Sequence, residues 1–246
     1  MNNDTNSEAF AIAARTIDVA SSAGMYLARH LTLEQLNYWQ AHKKDMHTKL
    51  REAFKIPDDP FASTRLDWQA FYKKRYGWDV DFSQVFIPSQ PSAAHRCSIV
   101  AKGMTTDKIY DAWPFPKWKY VSESLDTAVP TNIRTSTNGH YAIWVLDGVE
   151  PDAKFLGKST QDTDAEMKVG MTLAERLLLE DKYFDETGKH LDIIGGTFCS
   201  GSRGADGGVP CVYFGAGGCV RVRWGGLSHS DPRVGVREAV SGSIST

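Results

Sequence analysis

Apolar positions recur at helical spacing through the first third of the chain and change to strand-like alternation in the last third. From Ser7 to about His30, Phe10, Ala14, Ile17, Ser21, Gly24 and Ala28 form one stripe, rich in small side chains that let two helix backbones approach closely. Thr32 with Gln35 has the spacing of a capping box, and Leu31 and Leu36 occupy the positions of a hydrophobic staple. Leu33, Leu36, Trp39, Met46, Leu50 and Phe54 then continue an apolar face that Pro57 ends. Thr64 with Asp67 predicts the start of a third helix, and Gly77 suits its left-handed cap. Helices are therefore expected near residues 7–30, 33–55 and 65–76.

Past Asp79 the pattern shortens. Ser89–Ala94 reads as a linker, His95–Ala101 as a strand, and Thr105 or Thr106 as the cap of a short helix ending at Pro114 and Pro116. Trp118–Val121 and Tyr141–Leu146 are further strands, and Thr172 with Glu175 opens a helix over Leu173–Thr187 that Gly188 closes. Its buried stripe is expected at Leu173, Leu177 and Phe184. Val209–Phe214 and Cys219–Trp224 flank Gly215–Gly218 as a hairpin, and in its second strand Val220, Val222 and Trp224 alternate with Arg221 and Arg223. One face of that strand is apolar and the other basic. The expected fold is α+β: an N-terminal helical hairpin region over residues 1–90, then a compact mixed-sheet domain over 91–246 with one major helix and a C-terminal hairpin.

Composition bounds what this fold can do. With 41% hydrophobic and 24% charged residues among 246, the chain can build a core without staples. A net charge of −2 argues against a protein that grips many phosphates, although Lys43–Arg75 holds nine Lys/Arg against five Asp/Glu. No secretory leader or long apolar run is read, so the expected location is the cytoplasm, away from the membrane, with Cys97, Cys199, Cys211 and Cys219 as reduced thiols.

Five segments carry a resemblance: DWQAFYKKRYG (67–77), IVAKGMTTDKIYDA (99–112), RTSTNGHYAIWV (134–145), TLAERLLLEDKYFDETGKHLD (172–192) and TFCSGSRGADGGVPCVYF (197–214). Together they are similar to a family of uncharacterised bacterial proteins encoded in candidate-phylum and metagenomic genomes. The likeness runs in the same order from about residue 31 to 241; the N-terminal helix and Gly195-Gly196 depart from it. The resemblance implies a coherent bacterial protein and carries over no activity, cofactor or catalytic residue.

Several groups of residues could carry chemistry. Cys199, Cys211 and Cys219, with His190 and His229, supply zinc-type ligand atoms, and a short hairpin could bring Cys211 opposite Cys219. No Cys-x-x-Cys pair is present, so neither a metal nor a cofactor is expected. The Ser200–Gly208 loop could turn backbone N–H groups toward an anion beside Arg203, or serve simply as a wide connection; it matches neither a P-loop nor a dinucleotide fingerprint. Ser200, Ser202, Cys199, His140, His190 and Asp192 or Asp206 are of nucleophile, base and acid types, without a G-x-S-x-G elbow. His190 also fits a simple helix C-terminal cap. With no catalytic motif, the expected function is a non-enzymatic binding or assembly protein, joining itself or a partner protein through the first helix. An enzyme reading instead requires Arg134, His140, His190, Ser202, Arg203 and Asp206 to converge in one pocket. A nucleic-acid reading, disfavoured by net charge, joins Lys43–Arg75 with Arg221 and Arg223 in one basic face.

Overall fold

A computed structural model describes residues 18–19, 21–54, 59–166 and 170–241. By internal contacts the chain divides into two compact units, Met1–Asp59 and Pro60–Thr246. The linker expected at 89–94 and the helix before it both fall inside the second unit.

In the first unit, residues 21–30 form helix α1, followed by α2 (Leu33–Ala41) and α3 (Lys43–Phe54). Phe10, Ala14 and Ile17 of the small-residue stripe lie outside the described residues; Ser21, Gly24 and Ala28 are exposed. The capping box of α2 forms: Thr32 Oγ1 accepts from Gln35 N at 3.2 Å, and Thr32 N donates to Gln35 Oε1 at 2.9 Å. The single helix expected over 33–55 is broken at His42, which leaves helical geometry with φ −115° and ψ 46°. The carbonyl of Tyr38 accepts from both the backbone N–H and ring Nδ1 of His42, and the two rings stack 4.1 Å apart. Local side-chain bonding of this kind competes with continuation of the helix.

The second unit runs α4 (Ala62–Tyr76), β1 (His95–Val100), α5 (Thr106–Ala112), β2 (Lys117–Lys119), α6 (Leu125–Ala128), β3 (Thr131–Asn132) and β4 (Tyr141–Leu146). After a 3-10 turn at Ala153–Phe155 come α7 (Thr160–Glu166), α8 (Leu173–Thr187) and six strands. These are β5 (Gly196–Phe198), β6 (Ser202–Arg203), β7 (Val209–Gly215), β8 (Cys219–Gly225), β9 (Val234–Val236) and β10 (Val240–Ser241). The fold is α+β, as the element order predicted. Helix α4 begins before Thr64: its N-cap is Phe61, which has no side-chain cap bond and packs its ring 5.7 Å from Trp144. A tertiary contact, rather than a local cap, sets that start. Gly77 and Gly188 close α4 and α8 at φ 69° and 67°, where a side chain would be strained.

Among the described residues the strands form three sheets, ordered β1-β4-β10, β2-β8-β7-β5-β9 and β3-β6. In the five-stranded sheet β2 is parallel to β8, β7 is antiparallel to both β8 and β5, and β9 is parallel to β5. Its inner face, Val212, Val220 and Val222, is fully buried in the main core with Trp68, Tyr72, Ile109 and Leu177. Tyr72 fastens α4 to the end of β1: its hydroxyl donates to Ile99 O and accepts from Ala101 N, each at 3.0 Å. The predicted stripe of α8 is inside, but so are Glu175, Arg176, Glu180, Asp181 and Lys182. Helix α8 is thus wrapped on nearly every side, and its charges must be answered internally.

Candidate ligand-binding face

Most of the polar residues singled out in the sequence are tied into the scaffold. Arg134 is buried, gripping Glu175 through Nε and Nη2 at 2.7 and 2.8 Å and the Gly170 carbonyl at 2.7 Å. Ser202 Oγ donates to Asn132 Oδ1 at 2.5 Å and accepts from Leu173 N at 2.8 Å, capping the start of α8. His190 does not cap the end of α8. Its Nδ1 turns back to Glu180 Oε1 at 2.9 Å while its ring stacks on Phe214 and Phe184. Arg203 donates to the Ser200 and Ser202 carbonyls. Asp206 accepts from Gly208 N within a tight turn, where Gly204 and Gly207 N–H groups also bond inside the loop. The Ser200–Gly208 loop therefore turns these amides inward, away from any anion.

The six residues do not converge. Arg134 and His140 share a surface cavity of about 580 Å³, but Asp206 lines a different one, and His190 packs along α8 against Glu180 and Phe184. His140 Nδ1 accepts from Lys102 N at 2.9 Å, and burial pushes its pKa below the ordinary value, so the ring is neutral. Across the hairpin, Cys211 sits opposite Arg223 and Cys219 opposite Gly215, so the two thiols do not face each other. Burial raises the Cys199 pKa far above its usual value and that of Cys211 to about 12, leaving both as weak nucleophiles. Among the described residues no three His, Cys, Asp or Glu side chains gather as a metal site would require.

A buried ionic cluster escaped the sequence reading. Asp192 Oδ2 accepts from Arg176 Nη2 at 2.8 Å and from Thr197 Oγ1 at 2.6 Å, while Oδ1 accepts from Arg237 Nη2 at 2.6 Å. Arg176 also donates to Glu180, and Arg237 to the Gly148 and Val149 carbonyls. Burial pushes the Asp192 carboxyl up, but Arg176 and Arg237 more than reverse this and hold it below its ordinary range. Two arginines balance two carboxylates here, so the cluster joins α8, β5 and the Val236–Ala239 stretch without net charge. Asp192 itself sits at φ 52°, in the left-handed region. Its neighbours Ile193, Ile194 and Gly195 aim three consecutive N–H groups at the Glu150 carboxylate, at 3.1, 3.0 and 2.9 Å.

The chemistry left open to solvent lies on the outer face of the five-stranded sheet. Register places Trp118, Arg221, Tyr213 and Gly196 in one row across β2, β8, β7 and β5, with side chains on the same side. The adjacent row carries Arg223, Cys211 and Phe198, and Tyr120 prolongs the β2 edge by donating its N–H to Val222 O at 3.0 Å. Tyr120 is 67% exposed and Trp118 41%. The Arg221 guanidinium lies 5.6 Å from the Trp118 ring, and Arg223 Nη1 donates to the Tyr213 hydroxyl at 3.2 Å. Gly215 makes room for Arg221, since a Cβ there would come within 2.6 Å of its Nε. Arg221 also hydrogen-bonds Cys219, which raises its pKa further above the ordinary value.

Toward β9 this face is partly roofed. Phe155 packs over Phe198, Cys211 and Val236, and His229 of the segment after β8 brings its ring 6.1 Å from that of Phe198. Between roof and open platform lies a cavity of about 670 Å³ bounded by Ile194, Gly196, Tyr213, Arg223, His229 and Asp231. Asp231 is ionised: the backbone N–H of Arg233, then its side chain, hold the carboxyl below the usual range. Arg221 and Arg223 were legible as a basic strand face; their aromatic neighbours Trp118 and Tyr213 were not, because only the β2–β8–β7 pairing brings them together. Such a concave, mixed aromatic and cationic surface can hold a flat or anionic group. No protein-family model, curated protein or solved structure matches the chain.

Proposed function

We propose that the chain is a non-enzymatic binding protein that engages its ligand on the outer face of the five-stranded sheet. The observation that carries this reading is the row Trp118–Arg221–Tyr213–Gly196 opening into the 670 Å³ cavity. Trp118 is exposed and Arg221 and Tyr213 are half-buried on a rigid sheet whose other side is the protein core, which holds them in position before a ligand arrives. The enzyme reading has less support: Arg134, Ser202 and His190 are each engaged by scaffold partners, and the buried thiols are held protonated. Among the described residues no helix is long and apolar enough to cross a membrane.

The test is differential scanning fluorimetry of the full chain against nucleotides, sugar phosphates and aromatic carboxylates, beside an Arg221→Ala/Arg223→Ala variant. Ligands that raise the melting temperature of the wild type and not of the variant are the expected result. Conversion of a hit into a product, followed by mass spectrometry of the mixture, would overturn the non-enzymatic reading.

A further inference from the structure

We infer that the partner of this face is a single-stranded nucleic acid, bound by base stacking on the β2 edge and by a few phosphate contacts on β8. The inference rests on the binding reading above and names its partner.

Size is the first argument. The polar and aromatic groups extend from Trp118 on β2 across β8 and β7 to Gly196 on β5, with His229 beyond. Three strand spacings amount to roughly 14 Å. A ligand that uses both the exposed Tyr120 edge and the roofed cavity is therefore an extended chain of several units.

Chemistry supplies the second. Tyr120 and Trp118 lie with ring centroids 6.3 Å apart and planes at 66°, so they are not stacked on each other. Each keeps surface for a base, and the Arg221 guanidinium beside Trp118 is itself a stacking plane. Stacking of this kind rewards only bases that are not already stacked in a duplex. The cavity, with backbone and His229 and Asp231 groups at its rim, has room for one splayed base.

Charge supplies the third. Of the carboxylates near Arg221, Arg223 and Arg233, Asp231 is engaged by Arg233 at 3.4 Å through Nε and Nη2, and Glu150 accepts from the Ile194 and Gly195 amides that line the cavity. Two arginines remain beyond that pair, on a chain whose net charge is −2. The positive field is thus local, suited to about two phosphates, and differs from the sequence expectation of a broad face spanning Lys43–Arg75. For two phosphates on a single strand, log K against log salt should fall with a slope of about −1.4.

Fluorescence anisotropy of the full chain decides the matter, using fluorescein-labelled dodecamers of mixed-sequence RNA, the matching single-stranded DNA, its duplex, and an aspartate-rich dodecapeptide. The expected result is binding of a single strand with that shallow salt slope, weaker duplex binding, and a roughly fivefold to hundredfold loss in Tyr120→Ala. Arg223→Ala should also lower the slope, and Lys108→Ala on α5 should bind like the wild type. Preference between the RNA and DNA arms identifies which sugar the site accepts. Equal binding of duplex, binding of the acidic peptide alone, or indifference to Tyr120→Ala overturns the nucleic-acid partner. If the small-ligand shifts of the previous section still depend on Arg221 and Arg223, the binding face survives that outcome; if they do not, both readings fall together.

Discussion

The guanidinium of Arg134 and the carboxylate of Glu175 are joined by two parallel hydrogen bonds, 2.7 Å to Oε1 and 2.8 Å to Oε2, with both side chains almost hidden from solvent. Glu175 Oε2 simultaneously accepts from Thr172 N at 2.7 Å as the return arm of the α8 capping box. One carboxylate thus starts the central helix and anchors the loop before β4. Arg134→Ala leaves that charge buried and unanswered, which should destabilise the protein by roughly 3–5 kcal/mol. Urea unfolding of this variant beside Arg134→Ala/Glu175→Gln measures it; a double variant no more stable than the single would contradict the account.

Asp192 makes a parallel case with a backbone control. Its φ of 52° suits Asn as well as Asp, so Asp192→Asn removes the charge without adding strain. Arg176 and Arg237 would then lose their shared counter-charge, and a cost of about 3–5 kcal/mol is expected. Thr197→Val, which removes one hydroxyl between Asp192 and Arg237, should cost only about 1–3 kcal/mol. Denaturation midpoints that rank the two in the opposite order would show that the cluster is held by something else.

Asp181 predicts a pH dependence of opposite sign to that of Asp192. Burial pushes its carboxyl up to about 6, although Tyr76 donates to it at 2.6 Å. Arg75 Nε approaches Oδ1 at 3.0 Å without hydrogen-bond alignment, so it only partly offsets burial. A carboxyl that titrates higher in the fold than in the unfolded chain stabilises the fold while protonated. Its contribution is complete below about 4 and is lost as pH rises to about 6. Asp181→Asn should therefore match the wild type near pH 4 and exceed it at pH 7, by on the order of 2–3 kcal/mol. Melting curves of the two proteins across that interval read the difference directly.

Thiol accessibility separates the four cysteines. Cys97, Cys199 and Cys211 are buried, whereas Cys219 is half-exposed on the outer sheet face beside Arg221. Ellman's reagent should titrate Cys219 first under native conditions, with the other three reacting only after unfolding. Reaction of all four at one rate would mean that the core opens on the labelling timescale. Protection of Cys219 by an added oligonucleotide would place that ligand on the proposed face.

Where a few consecutive residues settle a structure between themselves, the sequence was sufficient. Thr172 and Glu175 sit at the spacing of a capping box, Gly188 occupies the left-handed cap, and helix Leu173–Thr187 forms between those limits. Tyr141–Leu146 likewise follows from a short apolar run, and the β7–β8 hairpin from the alternation along β8 and a glycine turn. His42 and Phe61 mark the limit of that reasoning, since one break comes from a side-chain bond and one helix start from a ring packed on Trp144. The site lay further out of reach. Periodicity marks Arg221 and Arg223 as one face of a strand but cannot say which aromatic residues lie beside them. It marks Arg176 and Arg237 only as charges, since a charge on a helix or strand is ordinarily solvated. Those partnerships depend on which distant strands pair and on how completely α8 is enclosed. Local propensity determined the elements; burial and strand pairing, which act between segments far apart in the chain, decided which side chains meet.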